Sequence, residues 1–221
     1  MKPEEVASYL EQHPEFFEQY ADMLAAIFIP HPHGGRAISI SERQILALRE
    51  KSRQLEAKLR EVIQFGEDND AISEKIHRIT LAMIAARDLQ ALLHVLHFNL
   101  REDFTVPHIA IRVWRETAHP DLDEFQPVSR ESREFAASLF HPYCSNRAMV
   151  DTGSWFGEHG PRLRSFAYVP LRNGEAFGLL ALASEDPQRF YPEMGTLYLK
   201  RLGELAAAAL SRHLDEMKRE G

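Results

Sequence analysis

Histidines and acidic residues are the side chains in this sequence whose types and spacing could bind a metal. Eleven histidines are present. Three pairs have a spacing that could supply two ligands each: His31 and His33, His94 and His97, and Glu74 and His77. A structural zinc site takes four ligands, and a di-iron site in a helical bundle takes two Glu-x-x-His units with further carboxylates. No pair completes either set, so we predict no metal site.

Nucleophilic chemistry has equally little support in the sequence. Cys144 is the single cysteine, which excludes an internal disulfide and a redox pair within one chain. The sequence contains no G-x-S-x-G elbow, no phosphate-binding G-x-x-x-x-G-K-[ST] loop and no H-E-x-x-H. We therefore predict that the protein is not an enzyme and has no catalytic residues. The alternative is an enzyme that uses the region of His159, Arg162 and Arg164.

Composition limits the class of protein further. The 221 residues are 44% hydrophobic and 27% charged, with 26 Lys and Arg against 33 Asp and Glu, a net charge of −7. These values predict a globular chain of one domain with additional helices and exclude disorder. The net acidity argues against nucleic-acid binding. The sequence has no long apolar run and no signal peptide, so we expect no membrane association and a cytoplasmic location.

Residues 1–40 form a separate acidic segment at the start of the chain. Its apolar residues recur at helical intervals, with an interruption at Pro14 and an end in the Pro- and Gly-rich residues 29–35. We predict two short helices and a loop. So short a segment cannot bury a core of its own, and its Phe16 and Phe17 face is predicted to contact a protein partner or the next helix.

Residues 41–85 are predicted to form one long helix. Two overlapping capping boxes, Ser39-x-x-Glu42 and Ser41-x-x-Gln44, mark its start. Apolar residues then follow coiled-coil spacing, with one irregular step near Phe65 and Gly66. The resulting seam contains Ile45, Leu48, Leu55, Leu59, Val62, Asn69, Ile72 and Ile76. We predict a homodimeric coiled coil in which Asn69 sets the register. The alternative is that the N-terminal helices fold back over the stripe.

Residues 86–218 have the pattern of an α+β domain. A helical stripe of leucines from Leu89 to Leu100 is followed by a strand at 108–114, and the strands 165–171 and 176–183 flank the turn dipeptide Asn173-Gly174. We also predict short strands at 125–128 and 148–150, a helix at 131–140 and a final helix from about Pro192 to Met217. The predicted fold is an antiparallel sheet flanked by helices.

Two families resemble this pattern. Residues 165–182, with the sequence SFAYVPL, a turn glycine and FGLLAL, followed by Arg189-Phe190 and an Ala/Leu helix, are similar to the end of a GAF domain, a sensory module of signalling proteins. The start of the chain, with Tyr9-Leu10-x-x-His13-Pro14-x-Phe16-Phe17, resembles the bacterial DUF484 family. Together the resemblances span nearly the whole chain and imply helices that lead into a GAF-like domain.

The GAF resemblance implies a dimer through the first and last helices and a small-molecule pocket on the opposite face of the sheet. Strand alternation places Arg112, Trp114, Phe166 and Tyr168 on that face. Trp155 lies in a Gly-rich loop that is predicted to cover them, and these five are the predicted pocket residues. A guanidinium among aromatic rings suits a planar ligand with an anionic group. The alternative is that the rings fill the core. The residues after Phe190 lack the pattern found in GAF domains that bind cyclic nucleotides, which argues against such a ligand. The sequence identifies no other ligand and no cofactor.

These expectations combine into one functional hypothesis. The chain is predicted to be a non-catalytic homodimeric regulatory protein that binds a small ligand in the GAF-like domain and signals to a protein partner through its helical N-terminus. The alternative is a dimeric scaffold or adaptor without a ligand. Seam composition does not separate a dimer from a tetramer.

Overall fold

The computed structural model describes residues 2–29, 38–115 and 120–220. The chain divides into two compact units, Met1–Glu67 and Asp68–Gly221, and we call these the N-terminal unit and the sheet unit. The division falls inside one long helix, which therefore contributes to both units. Among the described residues, no helix is both long and apolar enough to cross a membrane.

The N-terminal unit begins with three short helices rather than the two that were predicted. They are α1 (Pro3–Gln12), α2 (Glu15–Gln19) and α3 (Ala21–Ala26). Pro3 starts α1, where its missing N–H costs nothing, and the Glu5 carboxylate accepts a hydrogen bond from the Lys2 N–H at 2.9 Å. The extra break lies at Tyr20, which leaves the helical conformation between α2 and α3. Two short strands, β1 (Phe28–Ile29) and β2 (Ile38–Ser39), pair antiparallel; most of the predicted loop at 29–35 lies outside the described residues.

The long helix α4 (Ile40–Ala85) is continuous. This confirms the predicted helix, and it shows that the irregular step at Phe65 and Gly66 does not interrupt the backbone. Ser39, Ser41 and Glu42, which belong to the two predicted capping boxes, have side chains outside those that the structure describes. Gly66 lies inside this helix, so the step is a change in the apolar spacing and not a break in the helix.

The sheet unit combines the end of α4 with three more helices and four strands. The helices are α5 (Leu89–Glu102), α6 (Arg130–Ser138) and α7 (Leu197–Glu220). The strands are β3 (His108–Val113), β4 (Tyr143–Ser145), β5 (Ser165–Asn173) and β6 (Glu175–Ser184). They form one antiparallel sheet in the order β3-β6-β5-β4. Short 3₁₀ segments occupy Asp123–Phe125 and Thr152–Arg162. This confirms the predicted α+β fold.

Local signals explain where several of these elements begin and turn. Asp88 caps α5 by accepting a hydrogen bond from the Ala91 N–H at 2.7 Å, and the Ser129 hydroxyl caps α6 in the same way. The β5–β6 hairpin turns at Gly174, whose φ of 76° lies in the region that favours glycine. The predicted hairpin is therefore confirmed, with both strands slightly longer than expected.

Strand alternation divides the core of the sheet unit into two clusters. One face of the sheet packs against the end of α4, α5 and α7; its side chains include Ile111, Val113, Ala167, Val169 and Leu171. The other face is covered by α6 and the 152–162 segment; its side chains include Ala110, Phe166, Tyr168, Leu179 and Ala181. This confirms that the aliphatic face of β3 and β5 meets the helix layer.

Three of the predicted boundaries in the sheet unit were wrong. The strand predicted at 125–128 is instead a 3₁₀ turn at Asp123–Phe125, and the strand predicted at 148–150 lies five residues earlier, as β4. Val150 has a φ of 48°, which no strand residue adopts. The Thr152 hydroxyl donates to the Met149 carbonyl and turns the chain locally, and the Asp151 carboxylate accepts a hydrogen bond from the distant Ser132 hydroxyl. The last helix begins at Leu197, five residues after Pro192.

The close contact between α7 and β5 yields a test of the helix layer. A Cβ added at Gly203 would lie 2.3 Å from Cγ1 of the buried Val169. We expect Gly203→Ala to lower the free energy of unfolding by about 1–3 kcal/mol, because the core would be overpacked. Urea unfolding followed by circular dichroism measures the effect.

Gly66→Ala is the matched control. Gly66 is also a helical glycine, but open space surrounds it. This variant should be neutral or up to about 1 kcal/mol more stable through helix propensity alone. Equal effects of the two substitutions would contradict the close packing at Gly203.

Candidate functional site

The five residues predicted for a ligand pocket come together on the face of the sheet that α6 and the 152–162 segment cover. We call them the aromatic face: Arg112, Trp114, Trp155, Phe166 and Tyr168. Arg112 lies on β3 and Trp114 directly follows it, β5 carries Phe166 and Tyr168, and β6 lies between these two strands. The grouping follows from strand alternation together with a register in which both β3 and β5 pair with β6.

Phe166 and Tyr168 are closely packed within this face. Their rings are parallel with centroids 6.2 Å apart, and Phe135 of α6 meets the Tyr168 ring edge-on at 5.3 Å. Phe166 is 1% exposed and Tyr168 is fully buried. Both side chains therefore contact protein atoms on all sides, and they stabilise the core by excluding water from aromatic surface.

The Tyr168 hydroxyl fixes the chain ahead of the 152–162 segment. It accepts a hydrogen bond from the Met149 N–H at 2.9 Å and lies 2.9 Å from the Thr152 hydroxyl, which in turn donates to the Met149 carbonyl. Burial raises the pKa of Tyr168, an effect that these two hydrogen bonds oppose. The hydroxyl therefore satisfies buried polar groups, and sequence reasoning alone gave it no such role.

Asp151 attaches the same segment to α6, and sequence reasoning did not identify it. Its Oδ1 accepts hydrogen bonds from the hydroxyls of Ser129, at 3.0 Å, and Ser132. Burial raises the pKa of Asp151, but these hydroxyls and a backbone hydrogen bond lower it, and the net result is a pKa below the ordinary value. The covering segment is thus held at its start by one carboxylate and one phenol.

Arg112, Trp114 and Trp155 form the half-buried part of the aromatic face. The Arg112 guanidinium lies 5.5 Å from the centroid of the Trp155 ring and donates to the Ile111 carbonyl at 2.9 Å. The Trp114 indole N–H donates to the Ala176 carbonyl at 3.1 Å. A guanidinium stacked on an indole at a partly open surface is suited to bind an anionic group beside a planar ring.

Two acidic residues near Arg112 influence its pKa. Burial lowers the pKa of Arg112, and the nearby carboxylates of Asp123 and Glu124 oppose that shift. Glu124 is itself 2.9 Å from the His97 ring nitrogen Nε2. Burial raises the pKa of Glu124, but the His97 hydrogen bond, a backbone hydrogen bond and the charges of His97 and Arg112 outweigh it, so the pKa is lowered overall. An anionic ligand at Arg112 would therefore compete with these two carboxylates.

Three of the candidate metal and enzyme residues have other contacts, and His31 and His33 lie outside the described residues. His97 is engaged by Glu124, and His94 stacks on Phe98 with centroids 6.1 Å apart. His159 lies against His108 at 4.7 Å, where burial, followed by the charge of His159, lowers the pKa of His108. Among the side chains that the structure describes, no three of His, Cys, Asp and Glu are grouped to hold a metal ion.

The seam residues fall into two environments. Ile45, Leu48, Leu55, Leu59 and Val62, which we call the N-terminal seam, are 50–66% exposed. Asn69 is exposed as well, and its carbonyl accepts a hydrogen bond from the Tyr198 hydroxyl at 3.1 Å. Ile72 and Ile76 are half-buried, and Ile76 packs against the helical core cluster of the sheet unit. The same stripe is thus exposed in the N-terminal unit and covered in the sheet unit.

The predicted partner face in the N-terminal unit is aromatic and partly exposed. The Phe16 ring stacks on Tyr20 with centroids 4.8 Å apart and meets Phe17 edge-on at 6.0 Å. Phe17, Tyr20 and Tyr9 are about half-exposed. Aromatic residues exposed in this way are common at protein contacts.

Known structures define the class of fold. The GAF domain of a phosphoenolpyruvate-protein phosphotransferase from Coxiella burnetii aligns with a TM-score of 0.52 at 13% identity, covering 66% of this chain and 96% of that one. The GAF domain of an Acinetobacter phosphoenolpyruvate-protein phosphotransferase aligns with a TM-score of 0.47 at 15% identity, covering 63% and 92%. The Coxiella match shows that the sheet-containing part of the chain has a GAF-like fold.

Sequence comparison identifies the family. Residues 1–215 match the family described as "Protein of unknown function, DUF484", and the chain belongs to that family. The protein YigA of Salmonella typhimurium strain LT2 is 23% identical over 219 residues, which cover 94% of this chain and 90% of that protein. Both resemblances noted in the sequence are thereby confirmed.

The Tyr168 hydroxyl gives a test of how the aromatic face is held. We expect Tyr168→Phe to lower the free energy of unfolding by about 1–3 kcal/mol, because the buried Met149 N–H would lose its acceptor. Tyr143→Phe on the adjacent strand β4 is the control, since Tyr143 pairs with Tyr168 in the sheet but is exposed. Its expected effect, measured by the same urea unfolding, is below about 0.5 kcal/mol. A Tyr168→Phe protein as stable as the wild type would show that the hydroxyl does not hold the segment.

Proposed function

We propose that the protein is a non-catalytic homodimeric regulatory protein. In this proposal its GAF-like unit responds to a small ligand and passes the signal to a protein partner through the helical N-terminus. The observation that carries the proposal is the N-terminal seam, five large apolar side chains that are 50–66% exposed along one stripe of α4. A continuous exposed apolar stripe of this kind is typical of an interaction surface.

A second copy of the chain is the occupant that best fits this stripe. The seam has heptad spacing, so an identical helix presents a complementary stripe. In a parallel pair, Lys51 at a g position meets Glu56 at an e position of the other chain. In an antiparallel pair, Lys51 and Lys58 would face each other across the seam. Charge therefore favours a parallel dimer, with both sheet units at the same end of the coiled coil.

Continuity of α4 supports transmission from the sheet unit to the seam. The last turns of α4 bury Ile79 and Met83 in the helical core of the sheet unit, while its first turns carry the N-terminal seam. A ligand that favours one packing of these last turns shifts the equilibrium between arrangements of the paired helices. The step from the sheet unit to the seam needs no additional element, because α4 contains both of its ends.

The ligand and partner surfaces follow from the exposed parts of each unit. In the sheet unit, the half-buried Arg112, Trp114 and Trp155 are suited to a planar anion, and the two tryptophans pack against the cluster that contains Phe166 and Tyr168. In the N-terminal unit, Phe16 and Phe17 supply the partner contact. A ligand-free dimeric scaffold is the second candidate function, and the dense packing of Phe166 and Tyr168 favours it.

Disruption of the seam tests the dimer. We expect the wild-type chain to sediment at twice its mass of 25.4 kDa. Leu55→Asp should weaken the dimer by about 100-fold or more, because it would bury two unpaired carboxylates, one from each chain, between the paired helices. Sedimentation equilibrium over a range of concentrations measures both values.

Ala57→Asp is the matched control for this substitution. It adds the same charge to the same turn of α4, but at the heptad position that faces away from the seam. Its dimer should have wild-type affinity. A wild-type chain that is monomeric at every concentration, or two variants that weaken the dimer equally, would refute the proposal.

A further inference from the structure

A cavity of about 570 Å³ lies among the helices of the sheet unit, separate from the aromatic face. Its walls come from α4, α5, α7 and the connection between β6 and α7. The volume is within the range of small-molecule sites, which is about 300–1,000 Å³. The apolar residues that line most of it are Ile72, Ile76, Leu100, Phe104, Val106, Leu182, Phe190, Met194, Leu199 and Leu202.

More positive than negative side chains line the cavity. Lys75 and Arg189 contribute two positive charges and Asp186 one negative charge. Asp186 already accepts a hydrogen bond from the Gln188 N–H at 2.9 Å. The Arg189 guanidinium donates to the Phe104 carbonyl, so it has a structural contact. The Lys75 ammonium lies 6.0 Å from the centroid of the Phe104 ring, on the cavity wall.

We propose that this cavity binds an amphipathic carboxylate, a molecule with an apolar chain and one anionic head. The chain would lie against the apolar walls, and burial of its surface would drive binding. The carboxylate would pair with the Lys75 ammonium at the rim, with Arg189 adding positive potential. The excess of one positive charge is the feature that selects an anion over a neutral molecule of the same length.

The position of the cavity links an occupant to the packing of α4 on α7. Tyr198 of α7 lines the cavity, and its hydroxyl donates to the Asn69 carbonyl at 3.1 Å and lies 3.2 Å from the Ser73 hydroxyl, both on α4. An occupant between Ile76 and Leu202 therefore contacts both helices beside this polar link. The residues that line the cavity lie between 72 and 202, so binding does not require the N-terminal seam.

Calorimetric titration with sodium octanoate and with 1-octanol tests the selectivity for an anion. The two probes have eight carbons each and differ in the charge of the head. We expect the full-length protein to bind octanoate about 10-fold more tightly than octanol, and Lys75→Met to remove that difference. Lys200→Met is the control, because Lys200 is an exposed lysine of α7 that does not line this cavity. Added salt should weaken octanoate binding and leave octanol binding unchanged.

Substitutions at Gly195 test the location. Gly195 lines the cavity, and a Cβ added there would meet no atom within 4 Å, so a larger side chain can be introduced without a backbone clash. Gly195→Phe should abolish octanoate binding by filling the space, while Gly195→Ala should preserve it. Circular dichroism of each variant verifies that the fold is retained.

Several outcomes would overturn the proposal. They are no octanoate binding by the wild-type protein, equal affinities for octanoate and octanol, unchanged affinity in Lys75→Met, and unchanged affinity in Gly195→Phe. The Leu55→Asp variant separates this proposal from the dimer. It should still bind octanoate and still prefer it to octanol, even where sedimentation finds it monomeric.

Discussion

Both faces of the β5–β6 hairpin have to be covered, and the rest of the sheet unit is arranged around that constraint. Consecutive side chains are buried from Ser165 to Val169 and from Phe177 to Ser184, so the central strands have no solvent-facing side. One face is covered by the end of α4, α5 and α7, and the other by α6 and the 152–162 segment. Because the covers are independent, the unit has two separate cores. Each core borders its own candidate site, the cavity on the helical side and the Arg112 surface on the other.

The packing of α4 against the sheet also explains why it carries an apolar stripe. Its C-terminal turns supply Ile79 and Met83 to the core, where burial of apolar surface holds them in place. The same periodicity upstream produces the N-terminal seam, which is exposed. The apolar stripe of α4 therefore has to be covered along its whole length. In the sheet unit, other side chains of the same chain cover it. In our proposal, a second copy of the chain covers it in the N-terminal unit.

Periodicity predicted the regular elements well and the irregular ones poorly. The α4 helix, the β5–β6 hairpin and the division of β3 into two faces follow from local patterns that the structure preserves. The chain around Val150 was wrongly predicted as a strand, because the hydrogen bonds of Thr152 and Asp151 outweigh the β-propensity of Val150. The members of the aromatic face were predictable from alternation; their dense packing was not, since it depends on a covering segment fixed by distant groups. The cavity was not predictable from spacing, because residues as far apart as 72 and 202 line it.

The contact between α4 and α7 near Tyr198 is the place where the helical cover can change at least cost. Below it, Ile79 and Leu202 are fully or almost fully buried, and moving them would expose core surface. At Tyr198, by contrast, Ile72 and Ile76 are only half-buried, and the link consists of exposed hydrogen bonds to the Asn69 carbonyl and to Ser73. Breaking such bonds costs little free energy, because water can hydrogen-bond to the same groups, whereas separating a buried apolar contact exposes its surface to water. Asn69 lies seven residues beyond Val62, one heptad from the end of the N-terminal seam. In our proposal, the part of the helical cover that changes most easily thus lies on the same continuous helix as the coiled coil.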